Sequence, residues 1–295
     1  MRGETKELNE TTRRSADGSF IQLPNGFTHY ELSPLLPEGE GLGVRDIVLV
    51  HGFSVPYFIY DPTFTFLTQS GYRTLRYDLF GRGFSDRPDE RYNLEFFVKQ
   101  LSNLLDALRF ESHVNLVGLS MGGPIAAAFA AQHPHRVEKL ILIDPAGGRP
   151  IELSPLLKLA KVPLAAEAAL AILGGDFLVN SVADDFFDPK LVAHFQARYK
   201  VQMQYKGFGR AILSTIRNNM LGSFIDVYRK LGETNLPVLL FWGRDDRTVP
   251  FEHSSILRET MPQAEFRAID HCGHIPHYEK PDEVNPILLE FLKRT

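Results

Sequence analysis

A hydroxyl, an imidazole and a carboxylate suffice to hydrolyse an acyl bond when they are held in line. The chain offers one of each after a short apolar run: Ser120 in GLSMGG (118–123), Asp246 in FWGRDDRTVP (241–250) and His274 in HCGHIPHYEKPDE (271–283). A serine hydroxyl is a poor nucleophile at neutral pH and needs a base within hydrogen-bond reach, itself oriented by a third group. His274 is the expected base because it follows a glycine in a turn just before the last helical pattern; His271 and His277 are the alternatives. For the acid, Asp246 closes a G-x-x-D step after a strand pattern, with its neighbour Asp245 and the strand-ending Asp144 as alternatives. Acyl transfer also needs donors aimed at the oxyanion. The backbone N–H of Met121, immediately after the serine, is one; the Phe53 amide, in the turn His51-Gly52-Phe53-Ser54, is the other.

Ser120 lies in a G-x-S-x-G step, with a strand pattern (HVNLV) before it and a helical pattern (PIAAAFAA) after it. That context is what a nucleophile elbow requires. The turn forces residues two before and two after the serine together, so Gly118 and Gly122 have a steric reason to lack side chains.

These turns must be positioned by a sheet. Strand patterns occur at 45–51, 73–78, 113–118, 137–143, 237–242 and 264–270, nearly continuous in apolar residues, as expected for a sheet buried on both faces. Helical patterns fall between them near 94–109, 121–132, 252–260 and 282–293. Residues 19–33 read as an antiparallel hairpin around Pro24-Asn25-Gly26. The alternation of strands and helices predicts an α/β fold with a mostly parallel sheet. It stops between 147 and 233, where helical stretches occur without strand patterns. We expect 1–146 and 234–295 to form the core and 147–233 a helical cap over the carboxyl edge of the sheet, where such sheets bind ligands. The apolar stretches 156–173 and 184–195 are expected to line an acyl pocket. Arg198, Lys200, Lys206 and Arg210 are candidates to meet a substrate carboxylate.

The chain has 295 residues, 44% hydrophobic and 23% charged, with a formal net charge of −4. Charges of both signs are interspersed, which argues against a nucleic-acid partner. The single cysteine, Cys272, excludes an internal disulfide and fits a cytoplasmic location. The first twenty residues are polar, lack the apolar run of a secretory signal and read as a mobile arm. No apolar run reaches the roughly 18 residues of a spanning helix. His271 and His274 lack the further spaced ligands of a zinc site, and neither a metal nor an organic cofactor is expected.

The segments VLVHGF (48–53), YDLFGRGFSDRP (77–88), GLSMGG (118–123), LILIDPAG (140–147), LLFWGRDDRTVP (239–250) and HCGHIPHYEKPDEV (271–284) together resemble the α/β-hydrolase fold superfamily. The resemblance implies that Ser120, Asp246 and His274 stand at the nucleophile, acid and base positions. It disfavours haloalkane dehalogenases and epoxide hydrolases, which carry an aspartate nucleophile. WGRDDRTVP is similar to the same segment of meta-cleavage-product hydrolases, which break carbon–carbon bonds. Leu119 and Ile275, however, stand where those enzymes often carry Asn and Trp. HGFSVPYFIYDP and DLFGRGFSDRP are more similar to esterases and monoacylglycerol-lipase-like enzymes. The expectation is therefore a serine hydrolase of small apolar carboxylic esters, with carbon–carbon hydrolysis and a ligand-binding receptor as the alternatives.

Overall fold

The computed structural model describes residues 1–34, 46–110, 113–152, 158, 160, 162, 166–168 and 175–294. Most of the 156–173 stretch expected to line a pocket lies outside them. Eight strands form one sheet: β1 Ser19–Leu23, β2 Gly26–Leu32, β3 Asp46–Val50, β4 Arg73–Tyr77, β5 Val114–Leu119, β6 Val137–Ile143, β7 Val238–Gly243 and β8 Glu265–Ile269. Their spatial order is β1-β2-β4-β3-β5-β6-β7-β8. The β1–β2 hairpin joins β4 antiparallel, and all other pairs are parallel. This is the α/β-hydrolase fold that the sequence predicts.

The apolar runs make strands because both of their faces are covered. Val48, Val50, Leu116, Leu140, Leu142, Leu240 and Trp242 enter one core, whereas Ile47, Leu49, Val117, Leu119, Ile141, Ile143, Leu239 and Phe241 enter the other. This alternation is the two-residue period of a pleated strand. Helix α3, Leu94–Ala107, is capped by the Asn93 side chain on the Phe96 amide and buries Phe97, Leu101, Leu104 and Leu105. Helix α4, Gly122–Gln132, is apolar nearly all round because β5, β6, α3 and a later helix enclose it. Two helices carry no clear sequence signal: α1, Glu10–Ser15, and α2, Asp61–Gln69. In α2 the alternating DPTFTFLTQ imitates a strand; burial of Thr63, Phe64 and Leu67 decides the outcome.

Between β6 and β7 the described segments contain helices: α5 Asp176–Ser181, α6 Val192–Gln202, α7 Phe208–Arg217 and α8 Ile225–Gly232. Three more follow: α9 His253–Thr260, α10 Pro276–Glu279 and α11 Pro281–Lys293. Among the described residues, no helix is long and apolar enough to cross a membrane.

The N-terminal segment is not the mobile arm expected from its polarity. Its amides at Thr5 and Lys6 both donate to the Gln204 carbonyl, at 2.8 Å each. The Glu4 carboxylate accepts from the amides of Gly207 and Gly209, at 2.9 and 2.8 Å, where α7 begins. Arg13 pairs with Asp86 and stacks over Phe27. Polar residues dock here because they meet helix-end amides and opposite charges, partners that hydropathy does not register.

Candidate active site

Parallel register places the ends of several strands side by side. Val50 pairs with Gly118, and Leu119 with Ile143, so the turns after β3, β5 and β6 emerge together. Ser120 leaves β5 with φ of 52°, in the left-handed region. Its amide donates to Ile143 O at 2.9 Å, and its carbonyl accepts from Gly123 and Ala146. A Cβ on Gly118 would lie 2.5 Å from Gly122 O, and one on Gly122 would lie 2.2 Å from Val50 O. These are the close approaches that the G-x-S-x-G spacing implies. Ser120 Oγ makes no hydrogen bond to a described residue and opens on a cavity of about 460 Å³. In unliganded sites the contact from nucleophile to base is often not yet made.

His274 lines the same cavity. Its Nδ1 lies 2.7 Å from Asp246 Oδ2, and both side chains are buried. Asp246 Oδ1 accepts from the amides of Thr248 and Val249, at 2.8 and 2.9 Å, so the carboxylate is fixed from both sides. Burial works against a charged imidazole, but the Asp246 carboxylate overrides it, helped by Asp185. The His274 pKa is raised as a result.

The alternatives stand elsewhere. His277 is buried against the Tyr60 ring, 4.8 Å between centroids, and burial pushes its pKa down to about 3. His271 packs on Phe187, and neither histidine lines the cavity. Asp245 is exposed. Asp144 is fully buried behind Asp246; its Oδ1 accepts the Gly243 amide at 2.8 Å, and its Oδ2 has no partner. Burial and the adjacent Asp246 push its carboxyl well above the usual range. Donor atoms of Asp144, Asp246 and His274 lie within 4.8 Å of one another. Several of those atoms are already engaged in the bonds just described, so a cation there would have to displace them.

The turn after β3 lies against the serine: a Cβ on Gly52 would come 3.1 Å from Ser120 Cβ. The amides of Phe53 and Met121 donate to no other described residue. Phe53 also lines the cavity. His51 is buried, and burial lowers its pKa to about 4. Its Nε2 accepts the Leu79 amide at 2.9 Å, while Nδ1 lies 2.9 Å from Gly52 O. Behind this site Trp242 in β7 donates through Nε1 to Val249 O at 3.0 Å, which pins the loop that carries Asp246.

Ile151, Phe177, Leu178, Leu221 and Ile275 form apolar wall. The basic residues expected to meet a carboxylate do not line it: Arg198 pairs with Asp61, Lys206 with Glu7 and Arg210 with Asp89, and Lys200 is exposed. Arg247 does line it and has no ion-pair or hydrogen-bond partner among the described residues. Asp185, which the apolar reading of 184–195 passed over, also faces the cavity. Its Oδ1 accepts from Thr248 Oγ1 at 2.6 Å and its carbonyl accepts the His274 amide at 2.8 Å. Although the residue is only half-buried, its carboxyl is pushed up to about 6 by desolvation.

A mostly parallel eight-stranded sheet with a left-handed serine at the end of β5 and an acid–histidine pair on later turns defines the class of α/β hydrolases. The chain belongs to the α/β-hydrolase fold family, whose sequence model matches residues 47–281. It is 31% identical to 2-hydroxy-6-oxononadienedioate/2-hydroxy-6-oxononatrienedioate hydrolase 1 of Dechloromonas aromatica, over 96% of this chain and 98% of that one. Among solved structures, the enol-lactonase of Burkholderia xenovorans aligns with a TM-score of 0.75 at 22% identity, covering 94% of this chain and 100% of the other. An esterase from Exiguobacterium antarcticum aligns with a TM-score of 0.76 at 20% identity, again covering 94% and 100%. At those identities the two structures speak for the fold.

Proposed function

We propose that this hydrolase uses Ser120 as nucleophile, His274 as base and Asp246 as its orienting acid, and that its substrates are ring-fission products of the 2-hydroxy-6-oxodienoate class, cleaved at a carbon–carbon bond. The observation that carries the substrate reading is the 31% identity with a hydrolase of that class across nearly the whole of both chains, the region between β6 and β7 included. That region, 147–233, we take to be a cap over the site. His274 removes the Ser120 proton as Oγ attacks the substrate ketone, and the amides of Phe53 and Met121 hold the oxyanion. Collapse breaks the carbon–carbon bond; its electron pair passes into the conjugated keto acid, and the imidazolium supplies the proton. Water, deprotonated by His274, then releases the acyl group as a carboxylic acid. The net reaction adds one water across the bond; Arg247, which lines the cavity, is our candidate to meet the substrate carboxylate.

Ester hydrolysis is the second reading. It is favoured by the apolar Leu119 beside the serine and by pairing of three of the four expected cap cations away from the cavity. The same acyl-enzyme serves either bond. Turnover of a 2-hydroxy-6-oxodienoate, followed by loss of its visible absorbance, should exceed that of a short p-nitrophenyl ester in kcat/KM. The reverse order would establish the esterase reading. Ser120→Ala should abolish labelling by a fluorophosphonate and cut either turnover by about a thousandfold or more; a mutant with full activity would overturn the mechanism.

A further inference from the structure

Three consecutive carbonyls in the turn after β3 are each held by a buried side chain. Gly52 O is met by His51 Nδ1 at 2.9 Å, Phe53 O by Arg82 Nε at 2.8 Å and Ser54 O by Gln202 Nε2 at 2.7 Å. In a trans peptide the carbonyl and the following N–H point in opposite directions in one plane. Holding Gly52 O therefore aims the Phe53 amide, and holding Phe53 O fixes the plane on the other side of that residue. Only His51 belongs to the turn itself.

Arg82 and Gln202 tie the turn to the helices between β6 and β7. The other arm of the guanidinium, Nη2, donates to Thr215 Oγ1 of α7 at 2.8 Å, and Thr215 donates in turn to Ala211 O at 2.8 Å. Gln202 closes α6; besides donating to Ser54 O, its Oε1 accepts the Gly83 amide at 2.9 Å. All three side chains are buried. Among the described residues no carboxylate pairs with Arg82. Its charge rests on carbonyl and hydroxyl oxygens and on the faces of Phe53, Tyr92 and Phe97, with centroids 5.7, 6.0 and 5.5 Å away. Burial lowers its pKa to about 10, still well above neutrality. A buried cation without an ion-pair partner is costly, and neither the sheet nor the nucleophile turn needs one here.

We infer that Arg82, Gln202 and Thr215 are positioning residues that hold the Phe53 amide in its oxyanion-binding direction, so that the seating of α6 and α7 on the core sets the strength of the oxyanion site. The inference rests on Ser120 being the nucleophile. It links the packing of the region between β6 and β7 to catalysis: α6 and α7, which do not themselves line the cavity, brace the donor that the transition state requires.

Thr215→Val keeps the side-chain shape and removes the acceptor for Arg82; Gln202→Met keeps length and removes both of its bonds. Each should lower kcat by about tenfold or more, a fraction of the hundredfold or greater loss typical when a donor is removed outright, with KM within about twofold. Affinity for a trifluoromethyl ketone, whose serine adduct carries an oxyanion, should fall in step with kcat. Circular dichroism and the melting temperature verify the fold of each variant, so the outcome does not depend on an Arg82 variant that fails to fold. An unchanged trifluoromethyl ketone affinity, or a rise in KM at constant kcat, would overturn the brace. Failure of a fluorophosphonate to label Ser120 in the unmodified protein would instead remove the nucleophile, and the brace with it.

Discussion

A second carboxyl beside the proposed base, His274, changes the pH at which that imidazole is free of its proton. Asp185 faces the cavity and carries the carbonyl that accepts the His274 amide, and its charge is one reason the imidazolium is favoured. The His274 pKa is raised above 6.5, so the neutral, proton-accepting form accumulates as pH rises through a value above 6.5. kcat/KM should climb over that same interval. Desolvation pushes the Asp185 carboxyl up to about 6, so its negative charge grows as pH rises into that interval. Asp185→Asn removes the anion, lowers the His274 pKa and should move the acidic limb of the kcat/KM profile to lower pH; an unmoved limb would show that Asp246 alone sets it. Ser120, His274 and Asp246 are legible in the sequence because each sits in a turn whose glycines and flanking strand have local signatures. Asp185 is not, since it lies in an apolar stretch and becomes chemically relevant only through contacts with Thr248 and His274, sixty or more positions away.

At the level of single elements, the tightest constraint is the passage from β5 through Ser120 into α4. Gly118→Ala would drive a methyl to 2.5 Å from Gly122 O, backbone against backbone, with no flexible side chain to yield. It should destabilise the protein by about 1–3 kcal/mol in chemical denaturation and reduce activity further by displacing Ser120. A neutral effect on both would mean that the turn is looser than its glycines indicate. The strands and the hairpin are readable because burial on both faces leaves continuous apolar runs, and because Asn25-Gly26 marks its turn. Helix α2 escapes because its alternating Thr and Phe follow a strand period while tertiary burial imposes a helix. Arg82 shows a different limit: the GRG step in 77–88 is conspicuous as a motif, but its partners, Phe53 and Thr215, lie on other elements.

Across the whole molecule, the N-terminal segment extends the network that begins at the turn after β3. Glu4 accepts two amides at the start of α7, the helix that presents Thr215 to Arg82. An acid at a helix N-terminus satisfies donors that the helix leaves open and complements its dipole. Glu4→Ala should weaken the seating of α7 by about 1 kcal/mol, visible as faster amide hydrogen exchange in 208–217; unaltered exchange there would separate the segment from the helix. Trp242 has a use of its own. It is the sole tryptophan of the chain, is wholly buried, and bonds through its indole N–H to the carbonyl of Val249 in the Asp246 loop. Its emission is therefore an optical probe built into that loop, able to follow in real time, without a label, whether the acid's support stays shut or opens during each catalytic cycle.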